Sequence, residues 1–134
     1  YLIPNYTAVE NVALTLELNN FKNPENEAKS LLDRFGLKHR FNNLPSQLSG
    51  GEQQRVAIAR AIAMKPELIL ADEPTGNLDS EQGNEVMEML SEQNEKGTTI
   101  VMATHNYNDA TYSRRIIKML DGQLLSENRS VNVA

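Results

Sequence analysis

Two adjacent carboxylates, Asp72 and Glu73, end the apolar run 68–71. Such a run is typical of a buried β-strand, in which neighbouring side chains point to opposite faces. Two acids at the carboxyl end of a strand can therefore have separate tasks. Transfer of a phosphoryl group needs one carboxylate near Mg²⁺ and a second group that orients or deprotonates the attacking water. Taken alone, an Asp-Glu pair at a strand end is usually only solvated.

A second candidate is the tetrapeptide Ser49-Gly50-Gly51-Glu52, which precedes an apolar helix. Ser followed three residues later by Glu predicts a capping box. The glycines let a ligand approach the backbone, and the free N–H groups of a helix start attract anions. By itself, however, the tetrapeptide predicts only an ordinary capped helix.

His105 follows the β-branched and apolar segment 98–104, which predicts a second buried strand. Sheets of α/β proteins generally bind ligands at the carboxyl ends of their strands, so His105 occupies a candidate ligand position. A single histidine is nevertheless most often structural or solvated. In the turn-rich bridge 74–80, Asp79 or Ser80 is expected to cap the next helix.

The elements that must position these side chains form a helical first part and a second part of alternating strands and helices. Thr7 and Glu10 predict a capped start for the first helix, and Asp121-Gly122 predicts a tight turn. We predict an α/β fold in which a helical subdomain with its following loop, 1–48, precedes the α/β part, 49–134. The predicted helices are 8–18, 24–35, 50–64, 81–96 and 107–113, and the predicted strands are 68–72, 98–104, 115–120 and 123–126.

Composition limits the class of protein. With 134 residues, 40% of them apolar, the chain can form one ordinary core. Its net charge of −5 argues against nucleic-acid binding, and the lack of cysteine excludes disulfides and thiolate metal sites. No apolar run approaches the roughly 20 residues that span a bilayer, and no signal segment opens the chain. We expect a cytosolic chain of one domain without direct membrane insertion, and Tyr1 in place of Met suggests that the natural polypeptide begins earlier.

The octet 48–55, Leu-Ser-Gly-Gly-Glu-Gln-Gln-Arg, resembles the signature motif of the ATP-binding subunits of ABC transporters. The block 68–73, Leu-Ile-Leu-Ala-Asp-Glu, is similar to the Walker B motif of that family. The segment 75–79, Thr-Gly-Asn-Leu-Asp, is similar to the branch that includes lipoprotein-release, macrolide-export and cell-division ATPases. The resemblance implies part of the P-loop NTPase-type ABC ATPase fold, with a mainly parallel sheet and flanking helices.

The resemblance also implies a role for each candidate residue. Asp72 would take the Mg²⁺ role, through water, and Glu73 would be the general base. His105 would be the switch histidine that reaches the γ-phosphate, although the family usually has Asp where this chain has Asn106. Asp79 would belong to the D-loop, which couples two sites across a dimer. The residues expected to contact or support the γ-phosphate of ATP held by the partner subunit are Ser49, Gly50, Gly51 and Gln53.

By this resemblance, the full protein would be an ATPase that works as a homodimer with membrane permease subunits, at the inner face of the cell membrane. A phosphate-cradling G-x-x-x-x-G-K-[ST] loop is absent from these 134 residues; that loop and the Q-loop would precede Tyr1. We therefore expect this chain alone neither to bind ATP tightly nor to hydrolyse it. Two alternatives stay open: a non-catalytic interaction or dimerisation module derived from such an ATPase and, less favoured for an acidic compact chain, a soluble ABC-type ATPase without a transport role.

Overall fold

The computed structural model describes residues 1–129, and their first half is helical. Residues 130–134, the end of the predicted part 49–134, lie outside the described residues. The three helices pack against one another, and two short 3₁₀ turns lie in the predicted loop 37–48. The helices are α1 (Ala8–Leu18), α2 (Pro24–Arg34) and α3 (Gly50–Ile62), and the turns are Lys38–Arg40 and Pro45–Gln47.

Local sequence explains where these helices begin and end. The Thr7 hydroxyl accepts the Glu10 amide at 3.3 Å, and the Glu10 carboxylate accepts the Thr7 amide at 2.7 Å, which caps α1. Helix α2 begins at Pro24, whose missing N–H is harmless in a first turn. Gly36 follows α2 with a φ of +70°, the left-handed conformation that suits a helix end. The three predicted helices are confirmed to within two residues.

Strands and helices alternate in the second half, as predicted. The elements are β1 (Leu68–Asp72), α4 (Ser80–Glu95), β2 (Thr99–Ala103), α5 (Tyr107–Ala110), β3 (Arg115–Leu120) and β4 (Gln123–Arg129). β1 and β2 pair in parallel, so that Asp72 lies opposite Ala103 at their carboxyl ends. β3 and β4 form a separate antiparallel hairpin, turned by Asp121 and Gly122 in the left-handed region.

One hydrophobic core joins the helices to the parallel strands. Helix α3 contacts both α1 and α4, which places it at the centre of the described chain. Val12 of α1, Leu32 of α2, Val56 of α3 and Val86 of α4 are completely buried, and Ile69 of β1 reaches the same core. None of the described helices has the length and apolarity needed to cross a membrane.

The prediction of two buried strands is wrong for one face of the β1–β2 pair. Leu70 and Val101 are register partners on that face, and they are 74% and 55% exposed. Exposure alternates along both strands because the described helices cover only the face that carries Ile69. An exposed apolar sheet face of this kind is typical of a surface that contacts further polypeptide.

Candidate functional site

Glu73 and His105 meet at the carboxyl end of the parallel pair. The Glu73 amide donates to the Ala103 carbonyl at 2.9 Å, which continues the strand pairing one residue beyond β1. Glu73 Oε1 accepts the His105 amide at 2.9 Å and lies 2.7 Å from His105 Nδ1. The structure therefore brings these two sequence-predicted residues into direct contact, while their roles stay predictions.

The backbone of Glu73 is unusual. Its φ of +44° is left-handed, which costs a residue with a side chain roughly 1–2 kcal/mol. Such strain tends to occur at functional positions, where the surrounding structure enforces it. Here the Gly76 amide donates to the Glu73 carbonyl at 3.2 Å and closes a turn immediately after the strand. The turn holds the Glu73 side chain where it can reach His105.

Hydrogen bonds from His105 keep Glu73 ionised. They lower the pKa of the Glu73 carboxyl below its ordinary value, with the ring contact as the largest cause and burial opposing it. Both side chains stay accessible, at 38% for Glu73 and 84% for His105. A neutral imidazole that carries its proton on Nδ1 donates to Glu73 and keeps Nε2 as an acceptor, whereas a protonated ring donates from both nitrogens. An ionised carboxylate here can accept a proton from water.

Thr104, which sequence reasoning missed, supports this contact. Its hydroxyl donates to Glu73 Oε2 at 3.4 Å and accepts the Asn106 amide at 3.0 Å. Asn106 Oδ1 in turn accepts the Asn108 amide at 2.9 Å and caps α5, as an Asp at this position would. The unusual Asn106 therefore leaves the local hydrogen bonds in place. Adjacency to His105 was the only sequence feature that could have pointed to Thr104.

Asp72 lies beside this pair without joining it. Its side chain is exposed, and within residues 1–129 the carboxylate makes no hydrogen bond or ion pair. Such a carboxylate fits Mg²⁺, which keeps several waters and takes one or two carboxylates from a protein. The part of the chain that the structure describes contains no group of three or more His, Cys, Asp or Glu placed to hold a metal ion. The metal role of Asp72 stays a prediction.

The N-terminus of α3 has the capping box predicted from the sequence. Ser49 Oγ accepts the Glu52 amide at 3.2 Å, and Glu52 Oε2 accepts the Ser49 amide at 2.8 Å. The Ser49 carbonyl accepts the Gln53 amide at 2.9 Å. The N–H groups of Gly50 and Gly51 have no acceptor inside the helix, because they precede its first intrahelical bonds. They form the part of this helix start that can bind an anion.

An ion pair fixes the first turn of α3. Glu52 is 8% exposed, and its Oε1 lies 2.8 Å from Arg40 Nε and 3.8 Å from His39 Nε2. The Ser49 amide is the largest cause that lowers the pKa of Glu52, and Arg40 acts in the same direction while burial opposes both. Arg40 therefore neutralises a carboxylate that would otherwise repel an anion at this helix start. Sequence reasoning missed Arg40, because no local motif joins residues 12 positions apart.

The N-terminus of α3 lies against α4 and the bridge that precedes it. A Cβ at Gly51 would meet the end of the flexible Gln82 side chain on α4, whereas a Cβ at Gly50 would lie at ordinary contact distance, 3.6 Å from the Asn77 carbonyl oxygen. Asp79 caps α4 by accepting the Gln82 amide at 2.9 Å. The capping prediction for Asp79 is confirmed, whereas its role across a subunit interface stays a prediction.

A cleft of about 590 Å³ joins the two candidate sites. Gly50 and Gln53 of α3 line one side of it, and Asp72 and Glu73 line the other. His105 is linked to this cleft through its contact with Glu73. The sequence-predicted residues outside the lining are Ser49, Gly51, Asp79 and His105.

Comparison with known proteins identifies the family. The sequence profile described as ABC transporter matches residues 1–76, more than half of the chain. The chain therefore belongs to the ABC transporter family.

Individual relatives match nearly the whole of this chain and are longer than it. The chain is 50% identical to an ABC transporter ATP-binding protein of Methanocaldococcus jannaschii, over 93% of this chain and 57% of that protein. It is 45% identical to the lipoprotein-releasing system ATP-binding protein LolD of Geobacter metallireducens, over 95% of this chain and 58% of LolD. The chain thus spans somewhat more than half the length of these relatives.

Solved structures confirm the fold. The dimeric structure of MJ0796, described as a bacterial ABC transporter cassette, matches with a TM-score of 0.85 and 43% identity, over 96% of this chain and 58% of that one. A dimeric post-hydrolysis state of the same cassette, bound to ADP and Pi, matches with a TM-score of 0.84 and 42% identity over the same shares. The predicted ABC ATPase fold is therefore confirmed for the part of the cassette that this chain spans.

Proposed function

We propose that the protein containing this chain is the ATP-binding subunit of an ABC transporter and hydrolyses ATP to drive transport. The observation that carries the proposal is the contact between Glu73 and His105 at the carboxyl end of two parallel strands. In a chain of this family, the contact places an ionised carboxylate next to a ring that can reach a phosphate.

In the proposed mechanism, Glu73 is the general base. Its lowered pKa keeps the carboxylate unprotonated while His105 is bonded to it. When the His105 ring turns toward the γ-phosphate, Glu73 loses its strongest hydrogen bond. The pKa of Glu73 then rises toward its ordinary value, which makes the carboxylate a stronger base at the moment of reaction.

The remaining residues bind and orient the nucleotide. Asp72 would hold Mg²⁺ through water, and the ion would supply positive charge against the phosphates of the nucleotide. The Asp72 carboxylate supports this assignment, because it is exposed and has no hydrogen-bond or ion-pair partner among residues 1–129. The free N–H groups at the start of α3 bind the γ-phosphate of ATP held by a second subunit. The residues that provide or support this contact are Ser49, Gly50, Gly51 and Gln53.

The proposed partners are a second copy of the subunit and the permease subunits of a transporter. MJ0796 is dimeric in both solved structures, and LolD is named as part of a lipoprotein-releasing system. The dimeric cassette supports the homodimer, and we further propose that this homodimer takes ATP with Mg²⁺ at the inner face of the cell membrane. Asp79 would then act at the dimer interface, since its loop lies against the α3 N-terminus.

ATP hydrolysis by a longer protein tests the proposal. The protein is a chimaera, named the complete cassette, in which the N-terminal segment of the M. jannaschii relative precedes Tyr1 and would supply the phosphate-binding loop. We expect the complete cassette to hydrolyse Mg-ATP. Glu73→Gln should lower the rate by at least about 100-fold, the usual effect of losing a general base, while Mg-ATP still binds.

A matched control is available next to the same strand. Glu67 is exposed just before β1, at the opposite end from Glu73, so Glu67→Gln should retain the parental rate. Retained hydrolysis in Glu73→Gln would contradict the assignment of Glu73 as the general base. Absence of hydrolysis in the folded parent would contradict the proposed function.

A further inference from the structure

We infer that Thr75 and Asp109 are positioning residues that hold the segments of Glu73 and His105 together, an inference that rests on the proposed function. Thr75 Oγ1 donates a hydrogen bond to Asp109 Oδ2. Thr75 is 7% exposed and Asp109 is 5% exposed, so the bond is withdrawn from water. The two residues lie 34 positions apart, and the bond therefore joins two separate parts of the chain.

The bond joins the two segments that carry the candidate site. Thr75 follows Glu73 by two residues, inside the turn that the bond from the Gly76 amide to the Glu73 carbonyl closes. Asp109 follows His105 by four residues and lies on α5. This helix is capped by Asn106, the residue after His105. Segments 73–76 and 104–110 are thus connected by two sets of bonds: the contacts of Glu73 with Thr104 and His105, and the bond of Thr75 with Asp109.

The two connections differ in exposure. Water reaches the Glu73–His105 contact, whose side chains are 38% and 84% exposed, and water competes with hydrogen bonds at such sites. The Thr75–Asp109 bond lies in a low-dielectric environment, where a hydrogen bond is stronger and an unpaired carboxyl group is costly. The buried Thr75–Asp109 bond therefore holds the two segments close to each other. The exposed contact between Glu73 and His105 depends on that closeness.

Packing against α4 holds Thr75 from its other side. A Cβ at Gly83 would lie 3.6 Å from Thr75 Cβ and 3.7 Å from Thr75 Cγ2, which is ordinary contact distance. The methyl group of Thr75 therefore faces α4, while its hydroxyl faces α5. Thr75→Val keeps the shape and removes only the donor, whereas Thr75→Ser keeps the donor.

Amide exchange at His105 tests the inference without any ATP. The His105 amide donates to Glu73 Oε1, so its hydrogen exchange in the complete cassette, followed by NMR, reports on the contact. Thr75→Val should speed this exchange at least about tenfold, because the contact opens more often, and Thr75→Ser should change it less than about twofold. Thr111→Val is the matched control, since the Thr111 hydroxyl is exposed and bonds only within its own turn. Unchanged exchange in Thr75→Val would overturn the inference.

Steady-state kinetics separate positioning from general destabilisation. Thr75→Val should lower kcat for ATP about tenfold with KM unchanged, because small displacements of reacting groups slow the chemical step. The double variant Thr75→Val with Asp109→Leu removes both polar partners, which restores stability more readily than removing one. Its kcat should nevertheless stay low, and its His105 amide should still exchange fast. Recovery of kcat together with stability would mean that the bond serves folding alone, and would overturn the inference.

The two readouts distinguish this inference from the proposed function. If the parental cassette hydrolyses no ATP while Thr75→Val speeds exchange at His105, the proposed function fails and the positioning role stands. If the parent hydrolyses ATP and Thr75→Val changes neither kcat nor exchange, the positioning role fails alone.

Discussion

Replacing Asn11 with alanine should detach the N-terminal segment 1–7 from α1. Asn11 is completely buried, at 0% exposure. Its Oδ1 accepts the Ile3 amide at 2.7 Å. Its Nδ2 donates to the carbonyl oxygens of Ile3, Tyr6 and Thr7 at 3.2, 2.9 and 3.0 Å. One side chain therefore ties an irregular segment to the helical part.

These contacts set the size of the effect. Nδ2 shares two hydrogens among three carbonyl oxygens, so the four contacts amount to three full bonds, or about 3 kcal/mol at a net contribution of about 1 kcal/mol each. The bonds are only partly buried, so the released backbone groups regain water and recover part of that amount. We expect Asn11→Ala to lower the free energy of unfolding by about 2 kcal/mol, or roughly 6–8 °C in Tm for a chain of this size.

Thermal unfolding of this chain, followed by circular dichroism, measures the loss. Asn19→Ala is the matched control, because Asn19 lies at the exposed end of α1 and its side-chain Nδ2 donates to the Thr15 carbonyl of the same helix, at 2.8 Å. The control should change stability by less than about 0.5 kcal/mol. An equally small effect of Asn11→Ala, with the Ile3 amide still protected from exchange, would refute the assigned role of Asn11.

Acid stability and self-association test two other features. Because the pKa of Glu52 is lowered in the folded chain, its stabilising contribution is complete above the unfolded-state pKa of about 4.3 and is lost as pH falls through the lower folded value. In urea titrations, Glu52→Gln should therefore lower the free energy of unfolding by about 1 kcal/mol at neutral pH, and this variant should lose less stability than the parent on acidification. Glu88→Gln is the control, because Glu88 is exposed. If the stability of Glu52→Gln fell with pH as that of the parent does, the assignment would be contradicted. Leu70→Glu should weaken concentration-dependent association of this chain in sedimentation, because Leu70 is 74% exposed on the uncovered sheet face; equal association of parent and variant would argue against that face as the contact.

The parts of the fold that depend on short-range chemistry could be predicted from the sequence. Thr7 with Glu10 and Ser49 with Glu52 form the expected capping boxes, since both partners lie within one helical turn. Asp121 with Gly122 forms the expected turn, because its conformation depends on two adjacent residues. The position of His105 at the end of a strand was also predictable, although its contact with Glu73 needed the register of β1 and β2.

The parts that depend on distant residues could not be predicted. Arg40 pairs with Glu52, and Thr75 pairs with Asp109, across loops whose paths no local pattern specifies. The exposure of Leu70 was missed for a related reason. An apolar strand shows that its faces can be buried, but only the packing of the other elements shows which face is covered.

A calorimetric titration with Mg-ATP tests the central claim most directly. The claim is that this chain supplies the signature and hydrolysis residues of an ABC ATPase but not the loop that cradles the phosphates. The titration compares this chain with the complete cassette carrying Glu73→Gln, which prevents hydrolysis from adding heat. We predict saturable binding by the complete cassette and none by this chain at the same concentrations. Comparable binding by this chain would contradict the account, because the phosphates would then have a different cradle.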